Sequence, residues 1–277
     1  MNPICSDRSL WMFDLFEPFC KNITNFVTSR HGGYSEGNYA TFNPSPYSGD
    51  DVPTVEKNLE KLRYSLPQNP KGLFRPRQVH GVNIRIIDRD FLELPKEVQE
   101  EQLRGVDALC TDVAGYAVCV STADCVPILL YDRRHQAVAA VHSGWRGTVQ
   151  QILYRSLEQM NKTYGTDGND IYACIGPSIS VDAFEIGEEV YGAFKKAGFP
   201  MQLISIRNES TLKHHIDLWK ANTIQLESFG VPTSQIEVSG ICTYTNNEDF
   251  FSARRLGINS GRILSGIMIN QSVSCSK

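Results

Sequence analysis

The 277-residue sequence has no hydrophobic run long enough to cross a membrane. Its longest apolar stretch, residues 113–131, is interrupted by Asp124 and Pro127. The N-terminal segment has no basic start, and Asp14 and Glu17 interrupt its apolar residues, which argues against a secretory signal. We therefore expect a cytoplasmic protein that has no membrane partner.

An excess of charge of one sign is also missing. The chain has 27 basic and 31 acidic residues, a net charge of -4, and no long run of like charge. Proteins that hold nucleic acid cluster Lys and Arg against the phosphates, so we expect no nucleic-acid partner. A small anionic ligand remains compatible with this balance. The mean hydropathy of -0.27 is that of a globular protein and excludes a disordered or fibrous chain.

The cysteines include no C-x-x-C pair and no closely spaced framework. A chain of this size buries enough apolar surface to be stable without disulfides or a structural metal. We therefore expect most thiols to be reduced and buried, with one or two available for chemistry. The eight cysteines are Cys5, Cys20, Cys110, Cys119, Cys125, Cys174, Cys242 and Cys275.

Hydrophobic periodicity predicts two surface helices. The first begins after Asp51 as N-cap and ends before Pro67, and the second spans residues 148–164 and stops at Gly165. Apolar runs predict strands at residues 83–88, 117–121, 126–131, 137–141, 171–175 and 236–244. This mixture predicts one domain over residues 1–277, of the α/β (α+β) class, with a mixed sheet covered on both sides. The chain lacks a G-x-G-x-x-G turn and a Walker loop, which excludes nucleotide binding by those two devices.

Reactive side chains occur at the ends of two neighbouring apolar runs. Asp124 and Cys125 precede one run and His142 follows the next, and α/β proteins place their sites at such sheet ends. Upstream, His80 precedes Gly81 where an extended segment is expected to enter a loop. His80, Cys125 and His142 together offer two imidazoles and one thiolate, the ligand set of a catalytic zinc site with one open position.

The spacing of these residues leaves other interpretations open. His80 and Cys125 are 45 positions apart, Cys125 and His142 are 17 apart, and neither gap is a local ligand motif. A lone cysteine or histidine near a strand is more often structural than functional. Cys125 could also be the nucleophile of a metal-free hydrolase, with His142 or His80 as its base and Asp124 nearby.

Three arginines are candidate anion ligands. Arg146 lies between Gly144 and Gly147, where the backbone can turn sharply and a guanidinium fork can hold phosphate or carboxylate. Arg30 lies in a Gly-Gly turn, and Arg254 follows two phenylalanines that could stack on a base. For Arg30 and Arg254 a solvated side chain in a turn or packed loop is the commoner interpretation.

Taken in order, eight short segments resemble the bacterial laccase-domain family of the YfiH type. The similarity runs over residues 29–262, and its most specific pair of segments is T-A-D-C-V-P and H-S-G-W-R-G. Members of this family were first labelled multicopper polyphenol oxidases and are now understood as purine nucleoside phosphorylases. The segments are S-R-H-G-G-Y-S, Q-V-H-G, D-A-L-C-T, T-A-D-C-V-P, H-S-G-W-R-G, I-G-P-S-I, C-T and F-F-S-A-R-R-x-G.

The resemblance implies a single-domain sandwich of mixed β-sheets covered by helices. It implies metal ligands at His80, Cys125 and His142, with zinc as the metal and copper as the alternative reported for the family. It also implies phosphorolysis of adenosine and inosine, cleavage of methylthioadenosine and deamination of adenosine. The expected partners are purine nucleosides and phosphate, and we expect a monomer or a weak homo-oligomer.

This chemistry suggests roles for the remaining residues. Arg30 and Arg146 are expected to hold phosphate, and Arg254 is expected to contact the substrate. Asp124 is expected either to orient a ligand histidine or to handle the purine proton. The older oxidase interpretation is disfavoured, because laccases hold several coppers with paired histidines, whereas this chain has six histidines and no H-x-H.

Overall fold

The fold is that of a computed structural model that describes residues 1–271. Its strands are β1 (Asn2–Pro3), β2 (Leu10–Met12), β3 (Ile23–Thr28), β4 (Gly72–Phe74), β5 (Ile84–Ile86), β6 (Ala108–Thr111), β7 (Tyr116–Thr122), β8 (Val126–Asp132), β9 (Ala137–Ser143), β10 (Ile171–Ile175), β11 (Glu185–Ile186), β12 (Ser205–Arg207), β13 (His214–Ile216), β14 (Ile236–Val238) and β15 (Ile263–Ile269). Its α-helices are α1 (Val52–Ser65), α2 (Arg89–Glu93), α3 (Lys96–Gln102), α4 (Trp145–Val149), α5 (Ile152–Tyr164), α6 (Glu188–Lys196), α7 (Met201–Ile204), α8 (Leu218–Ser228) and α9 (Ala253–Leu256).

Two six-stranded sheets form the centre of the fold. Their strand orders are β1-β2-β3-β15-β7-β4 and β14-β10-β8-β9-β6-β5, and a third, smaller sheet has the order β11-β13-β12. Most pairs are antiparallel, whereas β4 with β7, β5 with β6 and β10 with β14 are parallel. The two large sheets share one buried cluster, which includes Val118 and Ile267 from the first and Leu129 and Val138 from the second. The predicted mixed α/β fold is confirmed.

Helices cover the outer face of the second sheet. Ile128 and Leu130 of β8 belong to the same buried cluster as Leu157 and Met160 of α5 and Leu226 of α8. Neighbouring residues of a strand point to opposite faces, so β8 buries one set of side chains under the helices and the other between the sheets. This burial on both faces explains why its sequence is a continuous apolar run. On the first sheet, α1 takes the equivalent position through Leu62.

The local signals predicted some boundaries well and others poorly. Asp51 caps α1 as predicted, because its carboxylate accepts a hydrogen bond from the Thr54 N–H at 3.0 Å. The single helix predicted over residues 148–164 is wrong at its start, since Gln151 adopts a left-handed conformation with φ of +62° and separates α4 from α5. The strand predicted over residues 236–244 is wrong at its end, because β14 stops at Val238 ahead of Gly240 with φ of +66°.

The described cysteines are all free thiols. Cys110, Cys119, Cys174 and Cys242 are buried, whereas Cys20 is exposed. The expectation for Cys275 lies outside the described residues. No helix within residues 1–271 combines the length and the apolar character that crossing a bilayer requires. The assignment of residues 1–277 to one domain stays a prediction.

Candidate metal and active site

The three predicted metal ligands lie together at one end of the second sheet. Cys125 directly precedes β8, and His142 lies near the end of β9, where it pairs with Pro127 across the antiparallel ladder. His80 reaches the same place from the loop that follows β4. One ring nitrogen of each histidine and Sγ of Cys125 all lie within 4.8 Å of one another. This group is called the His–Cys–His cluster below.

Unusual backbone conformations position two members of this region. His80 has φ of +62°, and Asp124, directly before Cys125, has φ of +88°. Left-handed conformations cost free energy for residues other than glycine, and they persist where the surroundings hold them. The Asp124 carboxylate supplies such a restraint, because it accepts hydrogen bonds from Thr243 Oγ1 and from the Arg254 N–H, each at 2.7 Å. The turn that presents the Cys125 thiol is therefore held by both oxygens of Asp124.

Asp107 organises the two histidines of the cluster. Its buried carboxylate has Oδ1 2.8 Å from Nδ1 of His142. It also accepts hydrogen bonds from the backbone N–H of His80 at 2.9 Å and of Gly81 at 2.8 Å. A carboxylate in this position selects the histidine tautomer with a proton on Nδ1 and leaves Nε2 free to bind a metal. Asp107 thus couples the His80 loop to the end of β9.

We did not assign a role to Asp107 from the sequence. Burial alone would raise the pKa of Asp107, but the hydrogen bond and charge of His142 and the backbone N–H groups of Gly81 and Val79 lower it. The available signal was its place in D-A-L-C-T, where an acidic residue begins an apolar strand. A carboxylate that enters a buried strand requires a partner, but the sequence does not indicate which residue it is.

The Cys125 thiol is activated by its neighbours. Burial alone would raise its pKa, but the charge and hydrogen bond of His142 and the hydrogen bond of His80 lower it to about 6. Burial opposes protonation of His142 as well, but the Cys125 thiolate and Asp107 raise the pKa of His142 to about 9. Between these pH values the metal-free pair is a thiolate beside an imidazolium. A thiolate is the form of cysteine that binds metals and attacks electrophiles.

Gly144 leaves space at the cluster. A Cβ at this position would lie 2.9 Å from Sγ of Cys125 and 3.1 Å from Cδ2 of His80. Any side chain here would push against the Cys125 sulfur and the His80 ring, so the close approach of the backbone requires glycine. Two imidazoles and a thiolate form a donor set that zinc accepts, and the space beside Gly144 is compatible with an ion held among them.

These pKa values predict that metal binding releases protons. Zinc needs a neutral His142, so binding between pH about 6 and about 9 should expel about one proton, and below pH about 6 the Cys125 thiol should add another. Apparent zinc affinity should therefore rise about tenfold per pH unit in the upper range and more steeply in the lower range. Calorimetric titration in buffers of different ionisation enthalpy measures the released protons. An affinity that does not change with pH would contradict the charge state assigned to the pair.

The predicted arginines differ in their surroundings. The guanidinium of Arg146 is exposed, lies 4.3 Å from the Trp145 ring centroid and has no hydrogen-bond partner within residues 1–271. Arg30 donates hydrogen bonds to the carbonyl oxygens of Ala40 at 3.0 Å and Asn247 at 2.7 Å. Arg254 is exposed and approaches the cluster through its backbone N–H rather than its side chain.

Arg262 is a further residue that we did not assign from the sequence. Burial lowers the pKa of its guanidinium, while the charges of Cys125 and Asp124 oppose that shift. Its side chain donates hydrogen bonds to the carbonyl oxygens of Ser260 at 2.6 Å and Ile258 at 2.9 Å. This position places a fixed positive charge within electrostatic reach of the thiolate, and no local motif marks it.

The chain is similar to known proteins over almost its whole length. A family model described as multi-copper polyphenol oxidoreductase laccase matches residues 24–270. A Bacteroides thetaiotaomicron protein named purine nucleoside phosphorylase is 52% identical over 271 residues, covering 98% of this chain and 100% of the relative. A protein named adenosine deaminase RL5, from an unknown prokaryotic organism, is 42% identical over 252 residues, covering 91% of this chain and 96% of the relative.

A solved structure supports the same comparison at the level of the fold. The crystal structure of YlmD from Geobacillus stearothermophilus matches this chain with a TM-score of 0.83 at 31% sequence identity. The match covers 92% of this chain and 94% of YlmD. The fold of this chain therefore belongs to an architecture that is already known by experiment.

Proposed function

Since this chain belongs to the multi-copper polyphenol oxidoreductase laccase family, as its short motifs predicted, we propose that it is a zinc-dependent purine nucleoside phosphorylase with an adenosine deaminase side activity. The observation that carries the proposal is the His–Cys–His cluster in a chain collinear with a relative named purine nucleoside phosphorylase. Its substrates would be adenosine, inosine or methylthioadenosine together with phosphate. The relative named adenosine deaminase supports the side activity.

His80, Cys125 and His142 would hold the zinc ion. When bound, the ion would supply a Lewis acid at the open end of the cluster. Asp107 would keep the proton of His142 on Nδ1, so that Nε2 is the nitrogen that faces the ion. The thiolate character of Cys125 favours binding of a soft cation over magnesium or calcium.

The other candidate residues would act on the substrate and on the loops around it. Phosphorolysis requires phosphate beneath the anomeric carbon, and the exposed fork of Arg146, which has no hydrogen-bond partner among residues 1–271, is suited to that role. Arg30 is the weaker phosphate candidate, because two of its donors already bond to backbone oxygens. For Asp124 we favour positioning of the Cys125 turn, since both its oxygens are occupied by Thr243 and Arg254. Arg254, whose side chain is exposed, would contact the nucleoside.

The copper oxidase is the older alternative, and the number of donor groups argues against it. Within residues 1–271, His80, Cys125 and His142 are the one group of three or more histidine, cysteine or acidic side chains that could hold a metal. A multicopper site needs several such groups, each with its own imidazoles. One cluster with one thiolate and two imidazoles fits one zinc ion.

The decisive experiment is a phosphorolysis assay without oxygen. Zinc-loaded protein incubated anaerobically with inosine and phosphate should release hypoxanthine and ribose 1-phosphate at the aerobic rate, without added copper. Zinc has no redox chemistry at this site, so oxygen should not be consumed. Product formation that stops when oxygen is removed, or that requires copper, would restore the oxidase.

A metal-free thiol hydrolase is the second candidate, and a specific arrangement favours it. Cys125, His142 and Asp107 stand in the order of nucleophile, base and orienting carboxylate. Removal of zinc with a chelator separates the two functions. The phosphorylase should lose activity with its zinc, whereas a thiol hydrolase would keep its activity and lose it on alkylation with iodoacetamide.

A substitution at Arg146 tests the phosphate role. Arg146→Lys keeps the charge but removes the planar fork, so the KM for phosphate in phosphorolysis should rise about tenfold. Adenosine deamination should change little, because phosphate takes no part in it. Arg89→Lys, at an exposed position at the start of α2, is the matched control and should leave both reactions unchanged. Equal losses in both reactions would show that Arg146 serves the nucleoside or the fold.

A further inference from the structure

A second cleft lies away from the His–Cys–His cluster. It has a volume of about 620 Å³ and is bordered by residues of α1 and α3, with edge strand β4 and the first residue of β7 between them. None of its lining residues belongs to the cluster or to the groups that bond to it. Tyr116 lines it at the start of β7, and this seven-residue strand spans roughly 20 Å to its other end, Thr122, which lies three residues before Cys125. We call it the α1–α3 cleft.

The lining of this cleft is rich in positive charge that has no ionic partner. Arg63, Lys71, Arg75 and Lys96 all line it, and none of them has a carboxylate oxygen within 4.0 Å among residues 1–271. Two acidic residues, Glu56 and Glu100, also line the cleft. Cations therefore exceed acids in this cleft, in a protein whose net charge is -4.

Arg75 is the central anion-binding candidate of the cleft. It directly follows β4, and burial lowers the pKa of its guanidinium, while the nearby charge of Glu56 opposes that shift. Within the described residues, its side chain makes one hydrogen bond, from Nη1 to the Pro44 carbonyl oxygen at 3.2 Å. A guanidinium has five N–H donors, and the bond to Pro44 uses one of them. Arg75 is half-buried, so its remaining donors are available in the cleft to a bound anion.

The cleft also presents aromatic surface. The ring of Tyr116 lies against Gly72, where a Cβ would come within 2.9 Å of its Cδ1, and it stacks on Phe74 with ring centroids 6.0 Å apart. A side chain at position 72 would displace the ring, so the glycine keeps the ring against β4. Tyr47, which is 52% exposed, lines the cleft as well. Planar bases stack on such rings, while arginine forks hold phosphate.

From these contacts we propose that the α1–α3 cleft is a second ligand site, separate from the His–Cys–His cluster, which binds a nucleoside phosphate. Arg75 holds the phosphate with Arg63, Lys71 and Lys96 around it, and the base packs against Tyr116 or Tyr47. The cleft volume lies within the range of small-molecule sites. Recognition is by side-chain charge and stacking rather than by a glycine-rich loop, in agreement with the absence of both sequence devices for nucleotides.

The proposal is tested by titrating the full-length protein with ADP, pyrophosphate and adenosine in low-salt buffer. ADP should bind tightest, because it carries both the ring and the phosphates. Arg75→Gln should weaken ADP binding about tenfold or more. The double variant Lys71→Gln with Lys96→Gln should do the same, and because both lysines are exposed, this variant does not disturb packing as a change at half-buried Arg75 could. Lys162→Gln, an exposed charge on α5 outside the cleft, is the control and should bind ADP normally.

A second arm separates the cleft from the cluster. Protein carrying both Cys125→Ala and Arg146→Ala should retain ADP binding, and Arg75→Gln should retain phosphorolysis of inosine in the absence of ADP. If the double variant loses ADP binding while Arg75→Gln still binds ADP normally, the nucleotide binds at the cluster and the proposal is overturned. Pyrophosphate that binds as tightly as ADP, or ADP that fails to bind at millimolar concentration, would overturn it too.

Discussion

Replacing any one of the three ligands with alanine, as in Cys125→Ala, His142→Ala or His80→Ala, should lower zinc affinity and the rate of nucleoside phosphorolysis together. Each should fall by at least about a hundredfold, because loss of a ligand exceeds the 10–100-fold effect of losing an outer partner. The protein should still unfold cooperatively, since a chain with two large buried clusters does not need the metal to fold. Metal analysis, an inosine assay and thermal unfolding of each variant provide the three readouts.

The matched control is Cys20→Ala, which removes an exposed thiol from the loop before β3. It should keep zinc, activity and stability. Activity lost from Cys125→Ala with zinc content unchanged would favour the cysteine nucleophile. Loss of cooperative unfolding in all three ligand variants, but not in Cys20→Ala, would indicate a structural metal site.

Asp107→Asn should have the next largest effect. Asparagine preserves the size of the side chain but removes the charge, and its amide group cannot accept all the hydrogen bonds from His142, His80 and Gly81. Zinc affinity should fall about 10–100-fold as the tautomer of His142 and the position of His80 loosen. Stability should fall by about 1–3 kcal/mol, because buried donors lose a charged acceptor. Competition with chelators of graded affinity measures the first effect, and denaturant unfolding measures the second.

The chain offers a close control for this variant at the other end of β8. The buried carboxylate of Asp132 lies 2.8 Å from Nδ1 of His135 and accepts the backbone N–H groups of Arg134 and His135 at 2.9 and 3.0 Å. Asp132→Asn should therefore cost similar stability while zinc binding stays unchanged. Equal loss of zinc affinity in both variants would mean that Asp107 acts through general stability and not on the ligands.

Local features of the sequence were sufficient for several elements of the fold. The apolar stripe and the Asp51 cap predicted α1, because the hydrogen bonds and amphipathicity of a helix depend on residues three or four apart. The continuous apolar runs predicted β8 and β9, since strands buried on both faces need no polar positions. In contrast, β3 has the polar residues Thr24 and Asn25 within it, so its burial became evident only when the adjacent strands were in place.

Residue chemistry offered the ligand set as one of several interpretations, and the resemblance of the motifs to a family singled it out. Spacing alone left the thiol hydrolase open, because His80 and Cys125 meet through the order of strands in two sheets and not through a local pattern. The residue types that zinc prefers were visible, but their mutual distance depends on how the start of β8, the end of β9 and the loop after β4 come together.

The sequence by itself determined the fold class, helix α1, strands β8 and β9, and the residues able to bind a metal. These depend on hydrophobic periodicity and side-chain chemistry. Only the tertiary structure decided which carboxylate supports His142, which arginines already have partners and where unpaired cations gather. Asp107 and His142 are 35 positions apart and face each other because β6 pairs with β9 in one register. Arg75, which has no carboxylate partner among residues 1–271, lies in a cleft made by helices and strands from distant parts of the chain. Such partners depend on packing across the whole chain, which no local window of sequence contains.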